Sequence, residues 1–235
     1  MALGDPWDLA TRRLYLCTPD RPDLEPFIGA CIAGGVDVVQ LREKHLDDRR
    51  LIERAALAQR ACAGHGVPFI LNDRPDLAAA IGADGVHVGQ DDLSPVRARR
   101  VMGEDALIGL STHATEELEA AIGGDDAALP TSAPSDPARV PAAPVDYVSA
   151  GPVVPTPTKP GRPGTGLGYV AEAVARSPWP VWITGGVDPT TVGPMAAAGA
   201  RHFVVVRWLT EADDPEGHAR RLRRSIDLAV AQASR

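Results

Sequence analysis

Residues 67–103 read VPFILNDRPDLAAAIGADGVHVGQDDLSPVRARRVMG. Two short β-rich runs, VPFILND (67–73) and GVHVG (85–89), each precede a helical pattern, DLAAAIGA (76–83) and SPVRARRVMG (94–103). Ser94 is a good N-cap residue and Pro95 suits the first helical position, so the second helix has a defined start. Strand, helix, strand, helix at this spacing implies parallel strands joined by crossover helices. The same alternation extends in both directions. Upstream stand RLYLCT (13–18) with LEPFIGACIAGG (24–35), then VDVVQLR (36–42) with an amphipathic stretch over 46–63. Downstream stand LIGLST (107–112) with TEELEAAIGG (115–124), VDYVSAG (145–151) with YVAEAVARS (169–177), PVWITGG (180–186) with DPTTVGPMAAAGA (188–200), and RHFVVVRWLT (201–210) with a helix from about Pro215. Eight strand-then-helix units within 235 residues predict an α/β fold, a single-domain (β/α)8 TIM barrel over 1–235. The alternative, a doubly wound open sheet, usually has about five or six strands.

One segment breaks the repeat. Residues 125–144, DDAALPTSAPSDPARVPAAP, are proline-rich with almost no bulky apolar side chain, which predicts a flexible insertion. It joins a helix to the next strand, which places it on the N-terminal face, away from the chemistry.

Totals narrow the function. Apolar residues make up 44% of the chain, enough for a sizeable core, and aromatics only 4%, too few for nucleobase-stacking platforms. A net charge of −7 and a pI near 5.3 exclude a typical nucleic-acid binder, so an anionic ligand must be met by locally focused cations. Cys17, Cys31 and Cys62 lack metal or redox spacing and read as buried thiols in a reducing compartment. No apolar run is long enough to span a bilayer and MALGDPWDLA does not read as a signal peptide, which predicts a cytoplasmic protein with no membrane partner. The sequence leaves homo-oligomerisation open.

Function in a barrel collects at the C-terminal strand ends. The second strand ends in QLREK, 40–44, where alternation puts Gln40, Arg42 and Lys44 on one face, a set suited to a polyanion such as pyrophosphate. The third and fourth end in LNDR (71–74) and GQDD (89–92). Asp73 with Asp92 or Asp91 could hold Mg2+, or each could simply cap the following helix. His87, inside the fourth strand, reads as a hydrogen-bonded core residue rather than a general base, and His113 as a loop residue. Gly185 and Gly186 after the seventh strand, with Val206 and Arg207 at the end of the eighth, fit a phosphate cup of backbone N–H groups. After the sixth strand, GPVVPTPTKPGRPGTGLG (151–168) sets Thr156, Thr158, Lys159, Arg162 and Thr165 among prolines and glycines, the makings of a semi-rigid clamp over both anion subsites. No nucleophile–base–orienter set is present, which favours a leaving-group reaction driven by charge stabilisation.

VVQLREK, LNDRPDLAAAIGADGVHVGQDDL, GPVVPTPTKPG and TGGV, in that order and spacing, resemble the thiamine-phosphate synthases over nearly the whole chain except 125–144. The resemblance implies a transferase that joins an aminopyrimidine-methyl pyrophosphate to a thiazole phosphate with release of pyrophosphate. It implies that Gln40, Leu41, Arg42, Glu43 and Lys44 bind the pyrimidine substrate with Asn72, and that Asp73 and Asp92 hold Mg2+, favouring Asp92 over Asp91. It further implies that Ser111 meets the pyrimidine, that Lys159 meets the pyrophosphate, and that Thr156, Pro157 and Thr158 contact the thiazole phosphate with Gly186, Val206 and Arg207. Arg42, Lys44, Lys159 and Ser111 are then the catalytic groups. Arg207 stands where the family usually has serine, Trp182 is larger than usual in the seventh strand, and the insertion is atypical. A thiazole tautomerase and a non-catalytic phosphate-ligand sensor on the same barrel are the alternatives.

Overall fold

A computed structural model describes residues 7–123, 145–155 and 163–235. The expected insertion at 125–144 lies outside the described residues. Eight parallel strands close into a barrel in chain order: β1 Leu14–Thr18, β2 Val38–Leu41, β3 Phe69–Asn72, β4 Gly85–Val88, β5 Leu107–Thr112, β6 Tyr147–Ala150, β7 Val181–Ile183 and β8 His202–Val205. The helices are α1 Leu24–Ala33, α2 Asp48–Ala63, α3 Pro75–Ile81, α4 Pro95–Met102, α5 Thr115–Gly123, α6 Gly166–Arg176, α7 Val192–Ala197, α8 Arg207–Thr210 and α9 Pro215–Ala233.

Two-residue alternation along each strand divides the buried side chains into two sets. One set, including Leu16, Val39, Leu41, Phe69 and Leu71, packs outward against the helices. The other fills the barrel: Tyr15, Val38, Ile70, Leu107, Tyr147, Trp182 and Val204, with Leu9 also in this cluster. Trp182 sits at the centre of an aromatic layer, edge-on to Tyr15 at 5.2 Å between rings. The large residue on β7 is therefore barrel filling, below the strand ends.

Two elements differ from the sequence expectation. RHFVVVRWLT does not run on as strand; β8 stops at Val205 and residues 207–210 turn into α8. The helix expected from Asp188 starts at Val192, because the Asp188 carboxylate accepts from the backbone N–H groups of Thr190 (2.6 Å) and Thr191 (3.2 Å) and holds the chain in an Asx turn.

A recurring aspartate staples the N-terminal end of the barrel. Asp37, Asp84 and Asp146 each stand one residue before an even-numbered strand, and each carboxylate accepts from a backbone N–H at or near the start of the preceding strand: Leu14 (2.9 Å), Phe69 (2.8 Å) and Ile108 (2.7 Å). Asp146 also holds the buried Arg99 guanidinium at 2.5 Å. Asp146→Ala removes the carboxylate from that charge, which keeps its bonds to the Gly103, Glu104 and Ala106 carbonyls, and leaves the Ile108 N–H without its acceptor, so it is expected to cost about 1–3 kcal/mol. Urea unfolding should show a lower midpoint with an unchanged slope. Turnover of the folded variant should be unaffected, because the chemistry lies at the opposite end of the barrel.

His202 closes the same ring, its Nδ1 donating to the Arg12 carbonyl at 2.7 Å. Burial pushes the imidazole down from 6.5 to about 4. The folded state holds it neutral while the unfolded chain takes up a proton, so stability is fully present above pH 6.5 and is lost as pH falls towards 4. At about 1.4 kcal/mol per pH unit the loss approaches roughly 3 kcal/mol. Burial raises the Asp37 and Asp84 carboxyls, which works in the opposite direction. The expected result is therefore comparative: His202→Asn loses less stability than the wild type between pH 7 and 4.5 in denaturant titrations.

Candidate active site

The C-terminal mouth of the barrel opens into a cavity of about 350 Å3, lined from strand ends all round the barrel. On β2, Gln40 points inward, nearly fully buried, and its Nε2 donates to Asn72 Oδ1 on β3 at 3.0 Å. The Asn72 Nδ2 donor has no partner among the described residues. A buried donor left unmade costs about 1–3 kcal/mol, so an acceptor on a ligand would recover that energy. Arg42 lines the same wall, and neither it nor Arg207 across the mouth is in an ion pair among the described residues.

The other members of QLREK point elsewhere. Leu41 is wholly buried against the helices, so only its backbone is available to a ligand. The Glu43 carboxylate accepts from the N–H groups of Lys44 and His45, both at 2.8 Å, and shapes the turn leaving β2. Lys44 is half-exposed and ion-paired through Nζ to Asp73 Oδ2 at 2.7 Å, rather than lining the cavity.

Asp73 follows β3 with φ of 62°, the sole non-glycine residue with positive φ among the described residues, and a type that tolerates that region. Its N–H donates to the His87 carbonyl at 2.8 Å, which ties it to β4. Its carboxyl is raised above the ordinary range, chiefly by burial; Lys44 pulls the other way, and the Asp92 carboxyl hydrogen-bonded beside it pushes it further up. Asp92 is held by the Gly89 N–H at 2.8 Å. Two carboxyls in contact, one already resisting ionisation, form an arrangement that a divalent cation would relieve. It is Asp92 rather than Asp91 that stands beside Asp73; its carboxylate bonds back to Gly89, and Ser94 takes the N-cap position of α4.

Ser111 on β5 reaches the cavity floor with its hydroxyl 2.9 Å from His87 Nε2, and its carbonyl accepts from Gln90 at 2.6 Å. His87 is the buried, hydrogen-bonded residue that its place in the strand implied, yet it also lines the cavity. His113 is paired with Glu117 at 2.9 Å.

The opposite wall is the loop after β7. Gly185 and Gly186 have φ of 93° and 78°, and Gly185 abuts the backbone after β6: an added Cβ would lie 2.6 Å from Pro152 Cα and 2.7 Å from Val153 N. Thr191 Oγ1 donates to the Gly186 carbonyl at 2.6 Å and fixes the loop. Val206 and Arg207 line the cavity where α8 begins, so first-turn N–H groups without intrahelical acceptors stand beside the glycines. Thr156, Pro157, Thr158, Lys159 and Arg162 lie outside the described residues, as does the whole of 156–162 in the middle of the expected clamp.

Sequence reasoning passed over Tyr15, Cys17, Ser149 and Thr184, which also line the cavity. Their signal was the two-residue period itself, which puts Cys17 and Ser149 on the inward face at the ends of β1 and β6. Cys31 and Cys62 are buried among the helices, with burial pushing each thiol up to about 12.

The architecture is a (β/α)8 barrel whose mouth gathers amides and a cation in no ion pair among the described residues on the β2–β3 side, a carboxyl pair beside them, and two glycines after β7. The sequence pattern of the thiamine monophosphate synthase family matches residues 14–209, and the chain belongs to that family of transferases. It is 44% identical to the thiamine-phosphate synthase of Thermobifida fusca, over 95% of this chain and 96% of that one. It is also 44% identical to that of Thermus thermophilus, over 91% of this chain and 97% of that one. Among solved structures, thiamine phosphate pyrophosphorylase from Pyrococcus furiosus shares the fold at a TM-score of 0.77 and 22% identity, covering 96% of this chain and 98% of that one. A 3-hexulose-6-phosphate synthase shares it at a TM-score of 0.62 and 17% identity, covering 91% of this chain and 99% of that one. Among the described residues no helix is long and apolar enough to cross a membrane.

Proposed function

We propose that this chain is a working thiamine-phosphate synthase of the cytoplasm. It joins 4-amino-2-methyl-5-(diphosphooxymethyl)pyrimidine to a thiazole phosphate, giving thiamine phosphate and pyrophosphate. The observation that carries this reading is the pairing, in one cavity, of a polyanion wall at Gln40, Arg42 and Asn72 with a single-phosphate cup at Gly185, Gly186 and the start of α8. Two phosphate-bearing substrates require two such subsites facing one another.

The chemistry fits the side chains. The bond between the pyrimidine methylene and the pyrophosphate oxygen breaks, and its electron pair leaves with pyrophosphate. The thiazole nitrogen lone pair forms the new carbon–nitrogen bond. The pyrimidine amino group donates into the electron-poor ring while the first bond opens, so no side chain has to remove a proton to generate the nucleophile. Arg42 faces the charge that grows on the leaving group, and Asn72 Nδ2 offers it a donor that costs no reorganisation. Lys44 holds Asp73 in place and stands ready to share the pyrophosphate. Asp73 and Asp92 would hold Mg2+, which neutralises pyrophosphate charge when bound. Ser111 orients the pyrimidine at the floor. Lys159 adds a further cation from the 151–168 loop, and the Arg207 side chain a charge beside the phosphate cup.

Pyrophosphate release tests this. With Mg2+ and both substrates the chain is expected to release pyrophosphate in step with consumption of the thiazole phosphate, and with either substrate alone to release almost none. Isomerisation of the thiazole phosphate alone, without pyrophosphate, would make the chain a tautomerase. Binding without conversion would make it a sensor.

A further inference from the structure

The cavity runs on past the glycines of the β7 loop. Its wall continues through Val206, Arg207, Trp208, Glu211 and Ala212 to His218, in the first turn of α9. Side-chain contacts hold this stretch in place. Trp208 Nε1 donates to the His218 carbonyl at 3.2 Å, the two rings meet at 5.0 Å, and the Arg221 guanidinium lies over the Trp208 ring at 4.9 Å. Arg207 and Glu211 stand on the same wall, and neither is in an ion pair among the described residues.

One nitrogen of the His218 ring is committed. Nδ1 lies 2.9 Å from the Asp214 carbonyl oxygen. A carbonyl can only accept, so Nδ1 carries a proton in the neutral ring and in the charged one. Nε2, at the opposite edge of the ring, has no partner among the described residues. In the neutral ring Nε2 is therefore a lone pair, and only the charged ring has a proton there.

We infer that His218 is a further binding residue for the phosphate of the thiazole substrate, and that this phosphate and Nε2 share a proton taken up from solvent on binding. The inference rests on the synthase reading of the cavity. Phosphate oxygens present lone pairs and so does a neutral Nε2, so the two attract only with a proton between them. At pH 8 a phosphate monoester is nearly all dianion, and an imidazole without such a partner is nearly all neutral. The shared proton then comes from water. The charges on the wall favour it on balance: Arg207 opposes a second proton on the ring, while the phosphate dianion and Glu211 draw it in. The remaining charged groups around the start of α9 are engaged elsewhere. The Asp214 carboxylate accepts from the Gly217 N–H at 3.0 Å, Glu216 pairs with Arg220, and Asp188 accepts from Thr190 and Thr191. Arg21, which reaches the Thr210 carbonyl at 3.3 Å, pairs with Asp23. Among the other helices packed against α9, α7 carries no charged residue, and α1 carries only Glu25, which pairs with Arg60 at 2.9 Å.

Calorimetry on the full chain tests this without turnover. Thiazole phosphate is titrated in at pH 8 in two buffers of different ionisation enthalpy, and the difference in heat reads the protons taken up. The wild type is expected to take up about one proton per phosphate bound, with Kd rising nearly tenfold from about pH 7.5 to 8.5. His218→Gln keeps a donor but has nothing to protonate, so it should bind without uptake and with a Kd that is flat over the same range. His218→Phe keeps a ring against Trp208 and loses the donor. Its Kd at pH 7 should rise about tenfold, while the thiazole alcohol lacking phosphate binds as to the wild type. A wild type that binds the thiazole phosphate without proton uptake overturns the inference whether or not the variants fold, and so does uptake that survives in His218→Gln. A wild type that does not bind the thiazole phosphate at all fails the synthase reading itself, and this inference with it, so the two failures are distinguishable.

Discussion

Asp73→Ala and Asp92→Ala are each expected to lower kcat/KM at least about a hundredfold, roughly 3 kcal/mol of transition-state stabilisation. The carboxyls come from neighbouring strand ends and meet at a hydrogen bond, with Asp73 kept from ionising freely by burial and by Asp92 itself. The two losses should differ in kind. Removing Asp73 also releases Lys44 from its ion pair, so that variant loses metal affinity and lets a cation move. Removing Asp92 lowers the Asp73 carboxyl and leaves the Lys44 contact intact. Titrating Mg2+ against initial rate should therefore show a raised half-saturation point for Asp92→Ala that high metal partly restores, and little restoration for Asp73→Ala. Both should keep the wild-type circular dichroism spectrum. Undiminished wild-type activity in EDTA would remove the metal from the account.

Gly185→Ala is expected to raise KM for the thiazole phosphate tenfold or more, with a smaller effect on KM for the pyrimidine. A φ of 93° strains any L-residue, at a cost of about 1–2 kcal/mol. The new methyl would also press on the Pro152 and Val153 backbone, at 2.6 and 2.7 Å, where no flexible side chain can give way. The loop after β7 must then lift away from the segment after β6, which opens the cup. Gly193→Ala, whose added Cβ meets nothing within 4 Å, is the control and should change neither KM. Equal KM values in Gly185→Ala and wild type would mean that the phosphate sits elsewhere.

The barrel was legible because alternating runs of β-branched residues and amphipathic helices have only a few closed solutions, and turn residues marked most boundaries. The β8 boundary was not legible: RHFVVVRWLT is apolar through most of its length, and nothing local says that Val206 leaves the sheet. The start of α7 was hidden by an Asx turn, in which Asp188 bonds forward instead of opening a helix. Within the site, the period of two brought out Gln40 and Arg42, and the family resemblance Asn72 and Ser111, all of which the structure places on one cavity. The period also implies that a contiguous stretch such as QLREK cannot act as one face, and Leu41 packs outward accordingly. Lys44 beyond the strand escapes the period and turns to Asp73. The place of His218 on the cavity wall could not be read from sequence, because it depends on α9 folding back against α8 and setting the imidazole on Trp208.

The most direct test of the account is a time course of thiamine phosphate and pyrophosphate formed by the purified chain from both substrates in Mg2+. The expected result is one thiamine phosphate per pyrophosphate throughout, with both products abolished together in Asp92→Ala at low metal. Pyrophosphate appearing without thiamine phosphate, or neither product appearing from a folded chain that binds both substrates, would contradict it.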